Sequence, residues 1–132
     1  MTRSVDLIKD YHIHVYFEAG TPSSEAAAQL REQIKKTFDQ SVEIGRWHEQ
    51  PVGPHPVGSY QVKFQPENFQ KIVQWLSLNT AGLSILIHPQ TGDELKDHTE
   101  RALWLGQQLK LKLDIFTLSQ KNAATPKNNL GI

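Results

Sequence analysis

Apolar side chains recur along this chain with two different periods. From Tyr11 to Phe17 the order is YHIHVYF, aromatic and β-branched, bounded by Glu18-Ala19-Gly20. That composition predicts a strand. Alternate residues of a strand share a face, so Ile13, Val15 and Phe17 form one apolar set. His12, His14 and Tyr16 form the other. The period then lengthens. Thr21 is placed to cap a helix with Pro22 at its first position, and Ala27, Leu30, Ile34 and Phe38 follow at helical spacing. Val42 to His48 reads as a second strand, and Gly58 to Phe64 as a third. Between them Glu49 to Pro56 holds three prolines and a glycine, the composition of a rigid loop. Pro66 and Glu67 open a second helix whose Phe69, Ile72, Val73 and Leu76 make the clearest amphipathic stripe in the chain. Leu83 to Ile87 reads as a fourth strand, stopped by His88-Pro89. Asp97 and Glu100 have capping-box spacing for a third helix carrying Ala102, Leu105 and Leu109. Leu111 to Leu118 alternates as a last strand.

The order β-α-β-β-α-β, followed by a C-terminal helix and strand, predicts an α+β, ferredoxin-like sandwich. Helices cover one face of such a sheet, and the other face must be covered or solvated. An open face bearing Tyr16, Leu86 and Trp47 is partly apolar. It therefore calls for cover by a second subunit or by the C-terminal segment.

This topology makes the first and fourth strands antiparallel neighbours. The start of one then lies beside the end of the other, which brings His88 to His12, with His14 one step along the same face. Three imidazoles converging there would suit a metal ion. The plainer reading is a set of half-buried polar residues on a covered sheet. Asp93, Glu94, Asp97 and His98 follow His88 closely and could wall the same pocket. His48 and His55 flank the proline-rich loop at the expected opposite end of the sheet, and with Arg46 and Trp47 they suggest a pocket rim. Arg46 could hold a substrate carboxylate through its planar fork or make an ordinary surface ion pair.

Composition narrows the chemistry. The chain has 132 residues, 14 basic and 14 acidic side chains, six histidines and no cysteine. The length suits one domain, taken as residues 1–118, with a polar and mobile tail over 119–132. Without cysteine there is no disulfide, thiolate metal site or thiol nucleophile, so histidine and carboxylate are the ligands left. A net charge of zero argues against a nucleic-acid partner. No run approaches the roughly 20 apolar residues of a membrane span, and no apolar leader is visible, so a soluble, cytoplasmic protein is expected. Walker loops, nucleophile elbows and dinucleotide fingerprints are absent.

Several segments, taken in order, resemble the DOPA 4,5-dioxygenase family. They are Tyr11-His12-Ile13-His14-Val15-Tyr16-Phe17, then Gly45-Arg46-Trp47-His48-Glu49 with Pro51-Val52-Gly53-Pro54-His55-Pro56. Leu86-Ile87-His88-Pro89, Thr91-Gly92-Asp93, Asp97-His98-Thr99 and Trp104-Leu105-Gly106 follow. The resemblance runs from about Tyr11 to Phe116. It implies a ferredoxin-like subunit, often paired as a homodimer, that cleaves a catechol ring with O2 in the extradiol manner. Such chemistry uses Fe(II), with zinc as a possible substitute, commonly on two histidines and a carboxylate. His12, His14 and His88 are the preferred ligands here, and Glu49, Asp93, Glu94 or Asp97 could replace one. His55, His48 and His98 are candidates to take a catechol proton. Tyr16 and Trp47 could line a flat pocket. Two alternatives stay open: a non-catalytic metal- or small-ligand-binding module, and a dimeric scaffold whose histidines only pack.

Overall fold

The computed structural model describes residues 1–121; residues 122–132, most of the expected tail, lie outside the described residues. The first strand, β1 (Asp10–Phe17), is followed by α1 (Pro22–Phe38), β2 (Val42–Ile44), β3 (Gly58–Phe64) and α2 (Phe69–Leu78). Then come β4 (Ile85–Gln90), α3 (Glu94–Asp97), β5 (Leu103–Leu105) and α4 (Asp114–Lys121). The strands form one antiparallel sheet in the order β2-β3-β1-β4-β5. Its first four strands have the ferredoxin-like order, and β5 extends the sheet at the β4 edge.

The period-2 apolar sets decide which face the helices cover. Ile13, Val15 and Phe17 of β1, Tyr60, Val62 and Phe64 of β3, and Ile85 and Ile87 of β4 form one buried cluster. Ala27, Leu30 and Ile34 of α1 and Ile72 and Leu76 of α2 complete it. The predicted stripes are therefore the ones that meet. Among the described residues no helix is long and apolar enough to cross a membrane.

Four local expectations need correction. First, His88-Pro89 does not stop β4, which begins later and runs to Gln90. Hydrogen-bonded pairs alternate from Tyr16–Ser84, so the Pro89 nitrogen points away from β1. On that side β5 has already ended at Leu103, and no ladder bond is lost. Second, Asp97 closes α3 rather than opening a helix. Asp93 is the cap, accepting from the Lys96 amide at 3.1 Å. Third, Leu103 to Leu105 pairs with β4 as a strand and turns at Gly106, whose φ is +74°. A Cβ at Gly106 would lie 2.6 Å from the Leu83 carbonyl oxygen, so this contact needs glycine. Sheet pairing outweighs the helical spacing of Ala102, Leu105 and Leu109. Fourth, the alternation from Leu111 gives α4 and not a strand, because Phe116 is drawn onto the histidine face. The helix continues to Lys121, past the expected start of the tail. In addition β2 ends at Ile44, and His48 rejoins the sheet only through a bridge to Ser59.

Candidate metal centre

Strand β1 turns His12, His14 and Tyr16 to the face opposite the helices, and β4 turns Leu86 and His88 the same way. His12 lies directly across from His88, and His14 across from Leu86. The three imidazoles therefore meet, as the topology predicts. His14 is 1% exposed, His88 0% and His12 7%. One ligand nitrogen from each lies within 4.8 Å of the others.

Hydrogen bonds fix how these rings are turned. The Nδ1 of His88 lies 3.0 Å from the Pro89 carbonyl oxygen. Only an N–H is stable against a carbonyl, so Nδ1 carries the proton and Nε2 presents its lone pair. That Nε2 is 3.1 Å from the Nε2 of His14. Two nitrogens bound about 2.1 Å from one ion at adjacent positions stand roughly 3.0–3.4 Å apart. The observed gap falls in that range. The Nδ1 of His14 is buried without a hydrogen bond in the chain, so it can carry the ring proton while Nε2 binds. Burial pushes the pKa values of His14 and His88 well below the usual histidine range, and neighbouring imidazoles add to the shift. His12 is lowered to about 4, first by burial and then by His98 and Lys63. All three are neutral at neutral pH, the state that binds cations. The donor set therefore fits a divalent metal ion.

Two more histidines close over this group. The proline-rich loop does not stay at the far end of the sheet. It folds across the open face, where Lys112 N donates to the Pro54 carbonyl at 2.7 Å and ties the loop to the C-terminal segment. His55 then sits with its ring centroid 4.2 Å from that of His14. Burial raises the pKa of Tyr16, so its phenol stays protonated and donates to His55 Nδ1 at 2.7 Å. His98 approaches from the end of α3, with ring centroids 3.9 Å from His88 and 4.5 Å from Phe116. Its Nδ1–H donates to the Glu94 carbonyl at 2.7 Å, and burial lowers its pKa. The C-terminal segment, one of the two covers expected for this face, lies over the histidines.

The remaining sequence candidates fall elsewhere. Trp47 turns to the helix side and stacks on Phe17 at 4.1 Å, so it does not share the open face with Tyr16. His48 lies at the other end of β3 from the three-histidine group, bonded through its backbone to Ser59. Arg46 is exposed just beyond β2. Among the described residues no carboxylate groups with all three ligand nitrogens, although Asp10 Oδ1 stands 3.5 Å from His12 Nε2. Asp97 is fully buried but committed: it accepts from the Thr91 amide and hydroxyl at 2.8 Å each and from Arg101 at 3.2 Å. Asp93 caps α3, Glu49 is exposed, and Glu94 contributes its backbone carbonyl to His98.

Four residues on this face escaped the sequence reading. Trp104 stacks on Tyr16 with ring centroids 5.9 Å apart, and Phe116 roofs His98. Both depend on β5 and α4, which the spacing misassigned. Gln61 and Ser59 are buried opposite His14 and Tyr16. Their places were deducible, since β1 and β3 are neighbours in this fold. A cavity of about 350 Å³ opens beside Tyr16 and is lined also by Glu18, Ser84 and Gln107.

Comparison with known proteins shows the family and the fold. The model of the Dopa 4,5-dioxygenase family matches residues 11–115. A DOPA 4,5-dioxygenase from Amanita muscaria is 37% identical over 111 residues, covering 80% of this chain and 49% of its own length. The chain thus spans about half of that relative. An uncharacterized 21.2 kDa protein from Botryotinia fuckeliana is 39% identical over 124 residues, covering 86% of this chain and 67% of its own. A crystal structure from Nostoc punctiforme, with a provisional dioxygenase assignment, superposes with a TM-score of 0.83 at 44% identity. That match covers 89% of this chain and 98% of the other.

Proposed function

The chain belongs to the Dopa 4,5-dioxygenase family, and from that premise we propose that it is a metal-dependent dioxygenase opening a catechol ring by extradiol cleavage. The observation that carries the reading is the facing pair of buried, neutral imidazoles, His14 and His88, with Nε2 atoms 3.1 Å apart and His12 beside them. In this proposal His12, His14 and His88 hold Fe(II). Bound there, ferrous iron would supply a redox-active Lewis acid for a catecholate and O2.

The chain's own groups do the rest. Tyr16 and Trp104, stacked at the edge of the cluster, offer a flat apolar wall for the ring. His98 is neutral at neutral pH, and with Nδ1 held by Glu94 its Nε2 is free of the ring proton. It is suited to accept a proton from a catechol hydroxyl. His55, held by Tyr16 at Nδ1, carries its proton on Nε2 and is suited to donate one. The protein cover over these rings keeps bulk water from the reacting atoms. The substrate we assign is a small catechol of the DOPA type. The same premise supports a homodimer, and Val5, Leu7 and Leu103 offer exposed apolar surface for it.

Anaerobic loading with Fe(II), followed by oxygen uptake with a catechol panel, tests the reading. Stoichiometric oxygen consumption with a yellow ring-cleaved product is expected. One tightly bound metal with no oxygen uptake would instead favour a non-catalytic metal-binding module.

A further inference from the structure

We propose that Gln61 is the positioning residue of His14, holding its Nδ1–H through one buried water. The inference rests on His14 being a metal ligand. The Nε2 of His14 faces His88, so Nδ1, on the other side of the ring, points away from the ion site. Strand pairing places Gln61 directly opposite His14 on β3, and the strand period puts both side chains on one face. Gln61 is 4% exposed. Its Oε1 and the Nδ1 of His14 are both buried, and neither has a hydrogen bond within the chain. The two are complementary: with Nε2 given to a metal, Nδ1 is a donor, and Oε1 is an acceptor.

Buried polar atoms are rarely left unpaired, so two neighbouring ones of opposite character call for a common partner. No hydrogen bond joins the two directly, and a bridging water would satisfy both. The Oγ of Ser59, the next residue along this face of β3, is also buried without a bond and extends the polar lining. The space beside Gln61 is kept by Gly45, whose amide donates to the Gln61 carbonyl at 2.7 Å. A Cβ at Gly45 would come within 3.3 Å of the Gln61 Cβ. Held this way, His14 stays in the tautomer whose Nε2 lone pair points at the ion. Groups that orient a ligating histidine commonly change metal affinity by about 10–100-fold.

The test compares wild type with Gln61→Met and Gln61→Glu. Zn(II) affinity is measured by chelator competition, and the imidazole nitrogens of His14 are followed by ¹⁵N NMR with and without Zn(II). We expect Gln61→Met to bind Zn(II) about tenfold more weakly. We expect it to lose the Nδ1–H signature of His14, and Gln61→Glu to recover both. A folded Gln61→Met protein with wild-type affinity and an unchanged His14 tautomer overturns the proposal. Equal loss in both variants overturns it too, by assigning a packing role. If Gln61→Met does not fold, Gln61→Asn replaces it: its amide is one methylene too short to reach the bridge, so the same loss is expected and wild-type behaviour overturns the proposal. Wild type that binds neither Zn(II) nor Fe(II) refutes the metal reading and this proposal with it, whereas metal-binding wild type with an unchanged Gln61→Met variant overturns this proposal alone.

Discussion

The two faces of one sheet are buried equally and by opposite chemistry. On the helix side Ile13 and Val15 are 1% and 0% exposed; on the other side His14 and His88 are 1% and 0% exposed. Burying the first pair is favourable in itself, through the removal of apolar surface from water. Burying the second pair is not, because an imidazole gives up its hydration and must find partners. His88 finds one in the Pro89 carbonyl, while His14 Nδ1 finds none in the chain. The apolar face is what makes the sheet fold. The histidine face is a cost that the fold carries, and a site with a ligand is where such costs are usually found.

Substitutions on the two faces should therefore fail differently. The largest effect is expected for His14→Ala. It removes the nitrogen that faces His88, and stoichiometric metal binding and oxygen uptake should both be lost. The metal-free fold should survive, with a stability change of no more than about 3 kcal/mol. Metal analysis and urea unfolding check both halves; normal metal content in a folded variant would sink the assignment. The counterpart is Ile13→Ala, one residue away on the same strand. It should cost about 2–5 kcal/mol of stability through the cavity it leaves. The fraction that remains folded should still bind one metal ion. Equal loss of metal per folded molecule would show that the two faces are not separable.

Acid should act on one face only. His12 titrates near 6.5 when unfolded and near 4 when folded, because burial disfavours its charged form. Between those values the unfolded chain binds more protons, so stability must fall as pH falls. The contribution is intact above about pH 6.5 and is lost progressively down to about pH 4, at roughly 1.4 kcal/mol per pH unit. His14, His88 and His98 shift in the same direction. Metal-free protein should therefore show a steep acid limb in urea titrations from pH 7 to 4.5. His12→Asn should make it shallower by about one proton. An unchanged slope would mean that His12 is not desolvated in solution.

The same contrast explains what the sequence made legible. The helix face follows from local periods: Ile13, Val15 and Phe17 alternate, and Phe69, Ile72, Val73 and Leu76 keep helical spacing. Topology then placed His12 beside His88, because that step needs only strand order and the two-residue period. The cover over the histidines was not legible in the same way. His55 reaches His14 through a loop whose path depends on the Lys112–Pro54 bond, a contact between distant segments. Trp104 and Phe116 come from β5 and α4, where a three-residue strand and a short helix carry too little pattern to declare themselves. Asp97 looked like a helix cap or a ligand; only the fold shows it committed to Thr91 and Arg101.

The smallest expected effect is the sharpest probe of the boundary between the faces. Tyr16 lies on the histidine face but behaves in part like a core residue, 3% exposed and stacked on Trp104. Tyr16→Phe keeps the ring and removes only the hydroxyl that donates to His55 at 2.7 Å. Stability should fall by about 1 kcal/mol, the usual net value of one hydrogen bond. Metal affinity should not change, since the Tyr16 hydroxyl bonds to His55 and to none of the three ligand rings. If His55 handles a proton, losing the group that sets its tautomer should lower kcat by roughly 10–100-fold with little change in KM. A variant with full kcat and the same small stability loss would reduce Tyr16 and His55 to packing. The chemical part of the face would then shrink to His12, His14, His88 and His98.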